Sequence, residues 1–151
     1  MGKIKTGDIF EIETSKGKAY LHYAFKDETN GELIRVLPGL YSDQPKNLKE
    51  LAVEDERFLV FFPLSAANRK KIVKKVGHHD LDSFARPEYM RVEHYIRGKF
   101  LGWHIINTDT WERDLVKELD DCQKKLSPWG IWNDTLLIER LEEDWTLDSW
   151  C

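Results

Sequence analysis

The chain has 151 residues, 41% hydrophobic and 33% charged, with a formal net charge of −4. That length suits one domain over 1–151 with a sizeable core, and no apolar run approaches the roughly 18 residues of a membrane-spanning helix. Cys122 and Cys151 are too few for a disulfide framework, and the opening residues hold no apolar leader, so a reduced, cytoplasmic protein is expected.

In chain order, the front reads as β-structure. Phe10 and Ile12 alternate with Glu11 and Glu13, the period of a half-buried strand. Ser15-Lys16-Gly17-Lys18 is a turn, and the aromatic and apolar run from Ala19 to Phe25 predicts a second strand. Asn30-Gly31, whose residues both accept positive φ, predicts a hairpin turn into a third strand at Leu33–Leu37. Pro38-Gly39 ends this meander, and residues 47–53 suit a short helix or an irregular loop. Phe58–Phe62 is apolar throughout, which predicts a central strand covered on both faces. Ser65 is the expected N-cap of a helix over Ala66–Val76, with Lys70, Lys71, Lys74 and Lys75 pointing to solvent and Arg69 on the apolar side.

Two more strands are expected at Met90–Ile96 and Trp103–Asn107, joined through Gly98 to Gly102. Thr108 to Leu119 has no clear period. Asp120 or Asp121 caps a short helical turn before Pro128. The clearest helix covers about 134–145, capped by Asn133 or Asp134. On it Leu137, Ile138, Leu141 and Trp145 form one narrow stripe. Leu136 falls on the far side, close to Glu139, Arg140 and Glu143, where it is either an exposed anchor or covered by a loop that buries the helix on two sides.

Charge and aromatic residues are unevenly spread. The first 75 residues hold 11 acids and 14 bases; the remainder hold 16 acids and 9 bases and all six tryptophans. Tryptophan most often fills cores, but it is also enriched where proteins bind proteins, and acid around it suits a basic partner. Leu136 with Glu139 and Glu143, and Trp129 or Trp132 beside them, has the form of an apolar anchor with a charged rim.

Catalytic and cofactor signatures are missing. No Gly-rich phosphate loop, G-x-S-x-G or H-E-x-x-H occurs. His78-His79-Asp80 invites a metal, but neighbouring residues point apart and no second pair supports them, so a solvated loop is expected. His104 in a strand reads as structural, and Asp8 as a turn or cap. No catalytic residue, metal or cofactor is therefore assigned. The lysines near 70–75 could meet phosphate, yet a sequence pI near 5.8 argues against a nucleic-acid protein. Two rivals stand beside a protein-binding role. One is a small barrel that binds nucleic acid or a small ligand. The other is a hydrolase using Asp8, His78 or His104.

The opening Gly7-Asp8-Ile9-Phe10-Glu11-Ile12 and the later Trp103-His104-Ile105-Ile106-Asn107, Asp109-x-Trp111-Glu112 and Trp129-Gly130-Ile131-Trp132-Asn133 before Leu137-Ile138-Glu139-Arg140-Leu141 resemble the bacterial immunity protein 26 family over almost the whole chain. The resemblance implies a mainly β protein that neutralises a polymorphic or contact-dependent toxin by binding it, with no catalytic set to carry over. The charge adds that the toxin is expected to be basic, which a nuclease would be because it must attract phosphate.

The expected protein is thus α+β and mainly antiparallel β. Its N-terminal meander is compatible with a small SH3-like barrel, and its helices are few and short. It is expected to bind a toxin in the cytoplasm through Trp129, Trp132, Leu136, Glu139 and Glu143, with oligomeric state left open.

Overall fold

A computed structural model describes residues 3–82 and 84–150. Cys151 lies outside them. The protein is mainly antiparallel β, with two sheets and a few short helices. No helix among the described residues is long and apolar enough to cross a membrane.

The first sheet has the order β4-β3-β2-β1-β5, built from β1 (Asp8–Thr14), β2 (Gly17–Asp27), β3 (Gly31–Val36), β4 (Phe58–Phe61) and β5 (Val73–His78). A four-strand meander whose fifth strand returns to the first is the connectivity of a small SH3-like barrel. Here β4 and β5 form the two ends of the sheet. The predicted hairpin is present, but Asp27 pairs with Gly31, leaving a loop over 28–30. Of the Asn30-Gly31 pair only Gly31 takes positive φ, at 87°. The Asp27 carboxylate accepts the Thr29 and Asn30 N–H groups, which fixes the loop.

Strand β1 is buried on both faces rather than half-buried. Phe10 and Ile12 join the main core, while Ile9 packs with Tyr20, Leu37, Leu51 and Ala52 on the other side. Glu11 is buried too, and its carboxylate accepts the Tyr20 hydroxyl and meets Lys18 Nζ at 3.4 Å. The second face is covered by α1 (Leu48–Ala52), capped by the Asn47 side chain.

The helix expected over Ala66–Val76 is overturned. Helix α2 (Leu64–Arg69) stops after one and a half turns, its N-cap is Pro63 rather than Ser65, and Lys71 takes a left-handed φ of 61°. The following residues become β5, pairing with β1 from Asp8↔His78 to Ile12↔Val73. The free edge of β1 needs partners for its backbone groups, and β-branched Val73 and Val76 suit a strand. A bulge at Ile9/Phe10 breaks strict alternation, so the segment lacks the period that would have marked it.

Strand β4 is an edge strand, not a central one. It reads as doubly buried because both its faces are covered: Phe58 and Val60 lie in the main core, and Phe61 packs with Leu33 and Met90. Its open edge is met by the segment 127–132. Leu59 N–H donates to Ser127 Oγ, and Trp132 N–H to the Phe61 carbonyl.

The second sheet, β6-β7-β8, comprises β6 (Tyr89–Ile96), β7 (Lys99–Asn107) and β8 (Arg113–Val116). Strand β7 starts earlier than expected because Arg97 and Gly98, at φ 51° and 78°, make the whole turn. The stretch without clear period contributes β8. The segment 127–132 also serves this sheet: Arg91 N–H donates to the Ser127 carbonyl, and Trp129 N–H to that of Arg91.

Helix α3 (Asp134–Glu142) is shorter than expected; its Asn133 cap is as read, and Asp144 turns left-handed beyond its end. Leu137 and Leu141 are buried in the main core with Phe10, Ile12 and Val60, so the last helix covers the first sheet.

Candidate functional site

The second sheet carries the most exposed aromatic surface. Its register places Glu93 opposite Trp103 and Tyr95 opposite Phe100, with a bulge between His94 and Tyr95. Gly102 makes this close packing feasible: at φ 136°, a Cβ there would sit 2.4 Å from the Val116 carbonyl oxygen on β8. The rings of Tyr95, Phe100, Trp103 and Trp150 follow one another edge to face at 5.5, 5.8 and 4.9 Å. They border an open hollow of about 470 Å³, with Lys117, Glu118 and Lys124 at its margin. Tyr95 is 52% exposed and Phe100 44%, and Ile96, Leu101 and Leu115 are exposed on the same sheet.

Polar contacts hold the hollow in shape. The Glu93 carboxylate accepts the Tyr95 hydroxyl at 2.7 Å and Trp150 Nε1–H at 2.5 Å. The hydrogen bond to Glu93 keeps the Tyr95 phenol protonated above its usual range. Arg91 is fully buried beneath, with its guanidinium 5.0 Å from the Trp103 ring and 4.3 Å from that of Trp150. It donates to the carbonyls of Lys124, Leu126, Leu147 and Trp150. The aromatic wall is therefore preorganised, which lowers the ordering cost of binding.

The residues expected to form a partner face are distributed differently. Trp132 is buried, at 8% exposure, between Phe58 and Trp145. Trp129 is half-buried against Phe61 and Trp111. Gly130, at φ 127°, lets these two tryptophans enter different clusters. Leu136 is half-buried on the main core rather than exposed, because α3 buries more of its girth than the narrow stripe. Glu139 and Glu143 are exposed, and Glu143 pairs with Arg140 at 3.1 Å.

Among the residues of the hydrolase reading, the structure joins Asp8 to His78 and keeps His104 on the other sheet. Asp8 is fully buried at the start of β1, and His78 ends β5 rather than lying in a loop. His78 Nδ1 lies 2.8 Å from Asp8 Oδ1 and its Nε2 2.6 Å from Asp80 Oδ1; Lys75 Nζ reaches Asp8 at 3.2 Å. Burial pushes the Asp8 carboxyl up, but the bonds from the Lys5 N–H, His78 and Lys75 outweigh it and hold it below the usual range. The bonds to Asp8 and Asp80 raise His78. With both ring nitrogens engaged by carboxylates, this is a tie between β1, β5 and the following residues. His104 bonds His94 at 2.9 Å, and burial first, then His94 and Arg113, lower its pKa. Among the described residues no group of three or more His, Cys, Asp or Glu could hold a metal.

The sequence reading missed Tyr95, Phe100 and Trp150 as a unit. The signal was the Arg97-Gly98 turn, which aligns Tyr95 with Phe100 once read as a two-residue loop. No protein-family model matches the chain, and neither curated proteins nor solved structures give a significant match.

Proposed function

We propose that this protein is an immunity protein that binds a toxin and blocks it in the cytoplasm, and that its main contact is the aromatic end of the second sheet. The observation that carries the surface is the braced aromatic row around the open hollow, with Tyr95 and Phe100 exposed and packed in sequence on buried Trp103 and half-buried Trp150. Rigid aromatic anchors are what protein interfaces use most, since they bury large area at small entropic cost. The resemblance to immunity proteins supplies the class of partner. The 16 acids against 9 bases after residue 75 favour a basic one, such as a nuclease. Glu139 and Glu143 belong to this reading as exposed charges that steer the encounter.

The test is to co-express the protein with the product of its neighbouring gene and score survival and complex formation. A variant with Tyr95→Ala and Phe100→Ala is expected to stay folded and lose at least tenfold in affinity, with loss of protection. Wild-type protection by that variant would remove this surface. Absence of any complex with the wild type would remove the toxin reading.

A further inference from the structure

On the first sheet three cations from separate parts of the chain meet. Lys3 precedes β1, Lys26 lies near the end of β2, and Arg69 ends α2; together they line a hollow of about 440 Å³. Tyr23, Ser65 and Asn68 complete its polar lining, and no carboxylate lines it. Some cations elsewhere are neutralised by a neighbour, as Lys18 is by Glu11, Arg35 by Glu56, Lys75 by Asp8 and Arg140 by Glu143. Among the described residues Lys3, Lys26 and Arg69 form no ion pair. The nearest acid by register is Glu32, opposite Lys26, and its Oε1 already accepts the Ser65 N–H at 2.8 Å.

We infer that this hollow binds a small phosphate-bearing anion. Three like charges gathered on a concave surface repel one another, and an anion seated among them relieves that repulsion. The side chains present are donors suited to phosphate oxygens: a guanidinium fork, two ammonium groups, two hydroxyls and an amide. The volume falls within the range of small-molecule sites and exceeds what a bare phosphate fills, so the hollow suits a phosphate carried on a larger group. The site lies on the other sheet from the aromatic hollow and does not depend on the toxin reading.

The full chain is titrated with pyrophosphate by calorimetry at low salt. The expected result is saturable one-site binding that weakens as salt rises. Arg69→Gln and Lys26→Gln each weaken it at least tenfold without changing the melting curve, and Lys124→Gln leaves it intact. Three results overturn the inference: a response that never saturates, a response that chloride or sulfate reproduces at equal ionic strength, or binding that survives both substitutions. A fourth is an affinity for single-stranded oligonucleotides that exceeds that for pyrophosphate and grows with their length, which would make the hollow part of a nucleic-acid track.

Discussion

The guanidinium of Arg91 lies 4.3 Å from the centre of the Trp150 ring, and its Nη1 donates to the Trp150 carbonyl at 2.8 Å. A strand residue of the second sheet thereby fastens the end of the chain. The same side chain reaches the carbonyls of Lys124, Leu126 and Leu147, so one buried cation gathers the end of the expected short helical turn, a 3-10 helix at Gln123–Lys125, and the residues leading to Trp150. Trp150 then forms a wall of the aromatic hollow and donates to Glu93.

Arg91→Met is expected to lower stability by about 3 kcal/mol, because carbonyls that accept from the guanidinium lose their donor. Hydrogen exchange should accelerate most in residues 146–150 and 123–127. Unchanged exchange there, with a normal urea midpoint, would show that the tail is held by something other than Arg91.

Trp145 follows α3 and packs edge to face on Phe58 at 5.0 Å, with Trp132 and Trp150 at 5.4 Å each. Its expected place in the main core is met, with partial exposure. Trp145→Ala should cost about 3 kcal/mol in chemical denaturation. A midpoint close to wild type would mean the neighbouring rings close the gap.

The pH dependence of the Asp8–His78 tie follows from the directions of the shifts. His78 titrates above its ordinary 6.5 in the folded chain, so its contribution is complete below 6.5 and disappears as pH rises through the folded value. Asp8 titrates below 3.8, so its contribution is present above 3.8 and is lost as pH falls through its folded value. The tie is therefore strongest between these limits. His22 acts oppositely: burial, with Arg35 adding to it, depresses its pKa, so it favours the fold above 6.5 and less as pH falls. The informative quantity is the difference in melting temperature between wild type and His78→Gln. It should shrink from pH 6 to 9; a constant difference would show that the charge on His78 adds nothing.

Leu136 and the two glutamates separate stability from encounter. Leu136→Ala should cost about 1–2 kcal/mol, less than a fully buried leucine, since the residue is half-buried on the main core. Glu139→Lys with Glu143→Lys should leave the melting temperature nearly unchanged. The pair should slow association with a basic toxin, more so at low salt. Stopped-flow rates equal to wild type at low ionic strength would exclude these charges from steering.

Features carried by neighbours in sequence were legible. The β1–β3 meander, the turn before Gly31 and the Asn133 cap of α3 each rest on local periodicity or backbone preference, so they could be read directly. Val73–His78 could not. Its lysines suited a solvated helix face, and only the open edge of β1, more than fifty residues earlier in the chain, makes it a strand.

The tryptophans show the same division. Their concentration from residue 103 onward is plain in the sequence, and so is the aromatic character of whatever they build. Which of them face solvent depends on the segment 127–132, which bonds to the edges of both β4 and β6 and sends Trp129 and Trp132 into separate clusters. The sequence by itself determined fold class, hairpin, cap and charge asymmetry, because short-range sterics and hydrogen bonds decide these. The aromatic hollow, the Asp8–His78 tie and the meeting of Lys3, Lys26 and Arg69 were decided only by the tertiary structure, because each joins side chains whose proximity arises from pairing and packing between distant strands.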